Sequence, residues 1–408
     1  GRVANANANA NANAEAEAPG LTTMACHFPN RQPQRNHRMT LLPSRRDLLT
    51  TAAAGAAALA LPGLAQAQAR RFEPQVGAWR TFDVTTVVEP TDLQGTTQVW
   101  LPLPDVDTDY QRTLSHDWVG NATAARLVAD VPRRVRMLQA DFAPGVARPR
   151  IEVTSRIQTR NRAVDWASRT APAEDQAVLR EALQPTELLP LDGIVRKTAL
   201  QATRGAKTDV DQARAIYDWV VAHAHREPKT RGCGTGDIKA MLETGNLGGK
   251  CADLNAIFVG LCRSVGVPAR DVYGLRLAPS AFGYRELGAN PASLKGAQHC
   301  RAEAYLRGHG WVAMDPADVL KVMRQETPEW IKDPAHALVA PVMKGLFGRW
   351  EGNWMAYSTA HDVRLPGVGG QATLPFLMYP QGRNASGRFD EYAPDNFRYA
   401  ISAREITA

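Results

Sequence analysis

Residues 245–270 read "GNLGGKCADLNAIFVGLCRSVGVPAR", and this stretch decides the fold. Behind its cysteine, Cys251, apolar residues recur three and four positions apart, at Leu254, Ile257, Phe258, Leu261 and Val265. This spacing predicts a helix with one buried face that starts near Cys251 and ends before Gly266.

Cys251 lies three residues before Leu254, so it continues the buried face into the first helical turn. Unpaired amides and the helix macrodipole create a positive potential there, which can lower a thiol pKa from about 8.5 to roughly 3.5–7.5. Gly248 and Gly249 allow a substrate carbonyl to approach closely. The alternative is an inert buried thiol, and Cys262, in the middle of the helix, fits that description better.

A nucleophilic thiol needs a base, and the base needs an orienting group. Downstream, "AQHCRAEAYLRGHGWVAMDPADV" (297–319) predicts two antiparallel strands joined by a turn at residues 308–310. His299 opens the first strand and Asp315 ends the second, so the hairpin brings them near each other. His309 lies in the turn, where solvent exposure is expected.

With these motifs, residues 209–318 resemble the transglutaminase-like superfamily. The resemblance implies an α+β fold with a papain-like core, in which the helix that bears the cysteine packs on an antiparallel sheet that bears the histidine and the aspartate. It also implies Cys251 as nucleophile, His299 as base and Asp315 as orienting acid, with no cofactor and no metal. The family often continues its histidine strand as His-x-Trp-x-Glu. Here Arg301 replaces the aromatic residue, which puts the wall of the substrate channel in question.

The rest of the chain predicts a modular organisation. Residues 72–166 contain strand-like segments rich in Val and Thr, as in "TFDVTTVVEP" and "RIEVTSRIQTR", and predict a small β-sandwich. Helices are expected at 194–202 and after Thr208, and closing strands at "LPFLMYPQ" and "NFRYAISAREI". The expected parts are a leader with a signal peptide (1–69), a sandwich-like domain (70–170), a linker and helix (171–207), the catalytic core (208–325) and a segment that closes the core (326–408).

The leader has the layout of an export signal. Arg45 and Arg46 precede an apolar, alanine-rich run, which ends at Ala65-Gln66-Ala67. This order predicts a twin-arginine type signal that is cleaved near Ala67 to Ala69, a periplasmic product and no remaining membrane anchor. The low-complexity stretch "ANANANANANAEAEA" lies further upstream, so we expect translation to start at Met24 or Met39.

Charge and cysteine usage exclude several classes. Six basic and three acidic residues precede Arg70, so the net charge of +7 becomes about +4 for the remainder. The arginines are scattered, which argues against a nucleic-acid partner. A metal site that combines His223 and His225 with cysteines matches no zinc spacing, and "GCGTGD" lacks the features of a phosphate loop.

Together these features predict an exported cysteine-dependent enzyme that transfers the acyl group of an amide, most simply a peptidase or amidase that hydrolyses a peptide or protein through a Cys251 thioester. Amides at the helix start, including that of Cys251, are the expected oxyanion donors. A second donor is expected from an upstream side chain that the sequence does not identify. The alternatives are a non-catalytic periplasmic binding module and a protein cross-linking acyltransferase.

Overall fold

The computed structural model describes residues 70–91, 93–368 and 373–407. The predicted leader and signal peptide lie outside these residues. The strands are β1 (Arg80–Val88), β2 (Thr97–Pro102), β3 (Gln111–Gly120), β4 (Ala124–Asp130), β5 (Val135–Phe142), β6 (Ile151–Thr159), β7 (Arg162–Ala163), β8 (His225–Arg226), β9 (Gly248–Gly249), β10 (Ala269–Arg276), β11 (Gln298–Leu306), β12 (Gly310–Met314), β13 (Arg349–Trp350), β14 (Trp354–Ser358), β15 (Gln381–Asn384), β16 (Gly387–Arg388) and β17 (Tyr399–Ile406). The helices are α1 (Gln176–Glu181), α2 (Gly193–Ala202), α3 (Asp209–His223), α4 (Ile238–Thr244), α5 (Cys251–Ser264), α6 (Pro316–Gln325), α7 (Ala340–Gly345) and α8 (Pro394–Phe397).

The N-terminal strands form two sheets with an apolar core between them. One sheet has the order β17-β1-β6-β3 and the other the order β16-β15-β2-β5-β4. Buried residues of both sheets pack together, among them Val88, Leu101, Phe142 and Val153. In β6, inward residues alternate with outward ones along nearly the whole strand, as expected for one buried face. These residues form the predicted β-sandwich.

Three C-terminal strands, β15, β16 and β17, complete these sheets. β17 pairs antiparallel with β1 along its length, with Val84 opposite Ala403. β15 pairs with β2, with Val99 opposite Gly382. The predicted closing strand at "NFRYAISAREI" is therefore present, and it closes the sandwich. The segment "LPFLMYPQ" is buried but not a strand, because Pro375 and Pro380 lack the N–H groups that a ladder requires.

A third antiparallel sheet, with the order β12-β11-β10-β14, contains the strand that bears His299. The predicted hairpin is formed by β11 and β12, with Leu306 opposite Gly310 and Ala302 opposite Met314. Helix α5 packs against β10 and β11 on one side and against α2, α3 and α6 on others. The fold is therefore α+β, with the helix that bears Cys251 on the sheet that bears His299.

Local signals explain the helices around this sheet. Thr208 caps α3 as predicted, since its hydroxyl accepts the amide of Asp211 at 3.1 Å and the Asp211 carboxylate accepts the Thr208 amide at 3.1 Å. α5 is buried on all sides, including its polar residues. Among them, Arg263 donates to the carbonyl of Ala269 at 2.7 Å, so its buried guanidinium has a hydrogen-bond acceptor inside the core. Among the described residues, no helix has both the length and the apolar character of a membrane span.

Candidate active site

Cys251 is the first residue of α5. Lys250 precedes it in an extended conformation, and the Lys250 amide donates to the Asp253 carboxylate at 3.0 Å. The Ala252 amide donates to the carbonyl of Cys233 at 3.0 Å. The backbone amide of Cys251 lies between these two amides in sequence, and it has no hydrogen-bond acceptor among the described residues. A free N–H therefore lies beside the thiol, at the positive end of the helix.

The Asp253 side chain binds the upstream loop at residues 235–236 and so holds it at the start of α5. Its Oδ1 atom accepts the amides of Thr235 and Gly236, both at 2.9 Å. Gly234, between this pair and Cys233, has φ +88°, and a Cβ atom there would lie 1.8 Å from Asp253 Oδ2. A glycine is therefore required for this contact. Asp253 was not predicted from the sequence, although an acidic residue at the third helical position is a recognised capping signal.

Three thiols meet at the start of α5. The sulfur atoms of Cys233, Cys251 and Cys300 lie within 4.8 Å of one another, and all three residues are buried. The hydroxyl of Tyr379 donates to Cys233 Sγ at 3.1 Å. None of the cysteines among the described residues forms a disulfide. Cys262 lies deeper in α5, outside this three-thiol cluster, as the sequence predicted for an inert thiol.

His299 is the second residue of β11, and its ring is held in place. Its Nε2 atom lies 2.7 Å from Oδ2 of Asp315, the residue that caps α6. Trp354 Nε1 donates to the His299 carbonyl at 2.9 Å, which ties this strand to β14. Because Asp315 occupies Nε2, Nδ1 is the ring nitrogen left for proton exchange.

A second carboxylate, which sequence reasoning missed, faces the same imidazole. Asp318 Oδ2 lies 3.3 Å from His299 Nε2, and the Asp318 amide donates to Asp315 Oδ1 at 3.0 Å. Arg276 Nη2 donates to both Asp318 oxygens, at 2.5 and 2.7 Å. The available signal was the spacing, since aspartates three residues apart at a helix start share one face.

Arg301 occupies the position where the family often has tryptophan. It is buried, with its guanidinium 4.6 Å from the ring centre of Trp354 and its Nε atom 3.7 Å from Asp315 Oδ2. Burial lowers the pKa of Arg301 to about 10, against the opposing charge of Asp315. Arg301 is therefore a cation behind the carboxylate, not a residue of the cavity wall.

The protonation states favour a thiolate next to an imidazolium. Burial and Arg276 lower the pKa of His299, but the charges of Asp318 and Asp315 outweigh them and raise it to about 9. Interactions with the Cys233 and Cys300 thiols and with His299 outweigh burial and hold the pKa of Cys251 well below its usual range. Burial raises the pKa of Cys262, so only one of the two α5 cysteines is activated.

Cys251 and His299 open onto one cavity of about 280 Å³, which is also lined by Gln298, Tyr379 and Tyr392. The structure therefore brings the three residues that the sequence singled out to one place, with Asp315 behind the histidine. An acyl group in this cavity can meet the thiol and the imidazole together.

Two groups of side chains lie close enough to share a metal ion. One is the three-thiol cluster, and the other comprises His299, Asp315 and Asp318. Thiolates suit soft cations, but the residues of both groups already serve one another as hydrogen-bond partners. His223 and His225 belong to neither group.

Comparison with known proteins identifies relatives of this chain. Residues 196–316 match the family model of the transglutaminase-like superfamily. An uncharacterized protein of Haemophilus influenzae is 32% identical over 341 residues, which cover 80% of this chain and 90% of that protein.

Two of the similar solved structures are bacterial. One is a Cytophaga hutchinsonii protein described as a candidate cysteine protease, with 15% identity, a TM-score of 0.44 and coverage of 81% of this chain and 99% of the other. The other is the periplasmic domain of TgpA from Pseudomonas aeruginosa, with 17% identity, a TM-score of 0.35 and coverage of 63% and 75%. Considering the matched family model, the long relative and the fold described above, this chain belongs to the transglutaminase-like superfamily.

Proposed function

We propose that this chain is an exported cysteine-dependent hydrolase of amide bonds, which acts on a peptide or protein through a thioester at Cys251. One observation carries the proposal. A thiol with a strongly lowered pKa lies at a helix start, on the same cavity as an imidazole that a carboxylate holds at 2.7 Å. Catalytic roles for Cys251, His299 and Asp315 belong to this proposal.

In the acylation step, the Cys251 thiolate attacks the amide carbonyl carbon and forms the C–S bond. The negative charge moves to the carbonyl oxygen, where the unoccupied Cys251 amide is the natural donor. His299 then gives its Nδ1 proton to the amide nitrogen as the C–N bond breaks. The amine leaves, and the acyl group remains as a thioester.

In the deacylation step, His299 accepts a proton from water while the water oxygen attacks the thioester carbonyl. The C–S bond breaks, the carboxylic acid leaves, and the thiolate–imidazolium pair is restored. Asp315 keeps Nδ1 directed at the reaction because it holds Nε2, and it stabilises the imidazolium.

Hydrolysis is favoured over cross-linking by the charge of the cavity. Arg226 and Lys250 line it, and none of its lining residues in the described part of the chain is an aspartate or glutamate. A protonated lysine from a second protein would be repelled at this surface, whereas water would not.

The test is a hydrolysis assay on the purified chain with a fluorogenic peptide library, with and without an added alkylamine. We expect hydrolysis, a thioester adduct on Cys251 in quenched samples, and neither product nor adduct in Cys251→Ala. Mainly aminolysis products would identify a cross-linking enzyme instead. Tight peptide binding without any adduct would identify a binding module and refute the hydrolase.

Export is part of the proposal and rests on the leader. Replacing Arg45 and Arg46 with lysines should leave precursor in the cytoplasm, and N-terminal sequencing of the exported product should find cleavage near Ala67 to Ala69. Unchanged export of the lysine variant would show that the twin-arginine assignment is wrong. An uncleaved, membrane-bound product would show that the signal is an anchor.

A further inference from the structure

The cavity in front of Cys251 is basic on all sides. Among the residues that the structure describes, its lining contains five cations and no carboxylate; the cations are Arg226, Lys250, Arg276, Lys295 and Lys321. The net charge of the whole chain is modest by comparison, at +7 over 408 residues. The positive charge is therefore concentrated at the reaction site.

Three of these cations already have anionic partners. Arg276 is paired with Asp318 at 2.5 Å, Lys321 Nζ lies 3.3 Å from Glu286 Oε2, and the exposed Lys295 is paired with Asp395 at 2.5 Å. These pairs reduce the charge that each cation can offer to a ligand.

Arg226 and Lys250 differ from the other three. Both are half-buried, and neither has a carboxylate within ion-pair distance among the described residues. Arg226 Nε donates only to the neutral side chain of Gln325, at 2.9 Å. Arg226 lies opposite Gly249 in the pairing of β8 with β9, so it is close to Lys250. Burial, followed by the charge of Arg226, lowers the pKa of Lys250, while Cys233, Cys251 and Asp253 act in the opposite direction. Two half-buried cations side by side, neither paired with a carboxylate, favour a ligand that supplies one.

We propose that Arg226 and Lys250 bind a carboxylate of the substrate, so that the preferred acyl substrate is an acidic peptide. This inference rests on the proposed function, because it concerns the substrate of the same site. Lys250 immediately precedes Cys251, so a carboxylate held there lies near the amide bond under attack. The carboxylate can be an aspartate or glutamate side chain or a free C-terminus.

The first test measures the potential at the thiol without turnover. Iodoacetate and iodoacetamide alkylate the same sulfur, but only iodoacetate is anionic, so their rate ratio at Cys251 reports the local charge. In Lys250→Gln and Arg226→Gln we expect this ratio to fall by about three- to tenfold at low salt, and less at high salt. In Lys239→Gln, which removes an exposed lysine paired with Glu243, the ratio should stay unchanged. Peptide mass spectrometry assigns the adducts.

An equal slowing of both reagents in the two cavity variants would show that these cations act only on the thiol pKa, which refutes carboxylate binding. This test does not depend on the hydrolase proposal, because alkylation needs no substrate. Conversely, efficient hydrolysis with a clear preference for neutral peptides would leave the hydrolase proposal intact and overturn this inference.

The second test uses peptides to protect Cys251 from iodoacetamide. The probes are acetylated triglutamate amide, acetylated triglutamine with a free C-terminus, and acetylated triglutamine amide. Protection by the first probe alone assigns the site to acidic side chains, and protection by the second alone assigns it to a C-terminal carboxylate. Equal protection by all three, or protection that survives in the Arg226→Gln/Lys250→Gln double variant, overturns the proposal.

Discussion

Asp318 Oδ2 lies 3.3 Å from Nε2 of His299, so a second carboxylate faces the nitrogen that Asp315 already holds. The two carboxylates differ in the arginine that lies beside each of them. Asp318 is paired with the buried Arg276, whereas Asp315 has the more distant Arg301 behind it. The imidazole thus lies between two negative charges that favour its protonated form.

Replacing Asp318 with asparagine should lower the pKa of His299 from about 9 toward its ordinary value, because one of the two charges that stabilise the imidazolium is lost. A lower His299 pKa means that the imidazolium loses its proton at lower pH. The alkaline limb of the pH profile of kcat/KM should therefore move to lower pH, as should the NMR titration of the ring.

In Asp318→Asn, Arg276 is left as a buried unpaired charge, at a cost of about 3–5 kcal/mol in the free energy of unfolding. A second substitution, at Arg276, serves as the control for this loss of stability. The double variant Asp318→Asn/Arg276→Met should recover much of that stability in urea unfolding. Because the charge of Arg276 lowers the His299 pKa, this variant should also have a higher His299 pKa than Asp318→Asn alone. An alkaline limb that does not move in Asp318→Asn would contradict the role of Asp318.

Replacing Cys233 with alanine should raise the pKa of Cys251, because interaction with the Cys233 thiol is the largest influence that lowers it. The pH midpoint of iodoacetamide alkylation at Cys251 should move upward, and the reaction near pH 6 should slow. The same measurement on Cys262→Ala should give the original midpoint, since Cys262 lies outside the three-thiol cluster. Identical midpoints in all three proteins would show that the cluster does not tune the nucleophile.

Substitutions of the two α5 cysteines should affect different properties, activity in the case of Cys251 and stability in the case of Cys262. Cys251→Ala should lower kcat/KM by about 10³-fold or more while changing unfolding free energy by less than about 1 kcal/mol. Cys262→Ala should cost about 1–2 kcal/mol, because it leaves a small void in a fully buried helix, and should keep the activity per folded molecule. Loss of activity in both variants without loss of folding would contradict this assignment.

Gly234→Ala should destabilise the protein for two reasons, and Gly245→Ala is the control that distinguishes them. Both Gly234 and Gly245 have positive φ, at +88° and +69°, so alanine costs about 1 kcal/mol of backbone strain at either position. Only at Gly234 would the added methyl group meet Asp253. Gly234→Ala should therefore cost more in thermal unfolding than Gly245→Ala and should also reduce activity. Equal effects would show that the contact between Asp253 and the loop contributes nothing.

The sequence predicted the parts of the fold whose pattern is local. The three- and four-residue spacing after Cys251 predicted α5, and the Thr208 cap predicted the start of α3. Strand β3 was not predicted. Most of its residues are exposed, and its sequence "QRTLSHDWVG" lacks the alternation of apolar and polar residues that indicates a strand with one buried face. The strand expected at "LPFLMYPQ" was wrong because apolar content was weighed above its two prolines.

The candidate site was only partly accessible from sequence. Cys251, His299 and Asp315 could be named because each lies at the end or start of a predicted element. Cys233 could not be placed, since it approaches Cys251 only through a glycine-rich loop with positive φ angles. Arg276 could not be linked with Asp318 either, because their pairing joins β10 to α6 across the fold.

The pairing of Val84 with Ala403 joins two strands that are far apart in the chain. Synthesis delivers β1 long before β17, so one edge of β1 stays open until residues 399–406 have been made. A ribosome-bound chain exposes unpaired N–H and C=O groups there, which is a hazard for aggregation. Long-range closure of this kind also slows folding, because the connecting chain must first be ordered. A product truncated before Tyr399 should be insoluble even though every residue of the β12-β11-β10-β14 sheet is present.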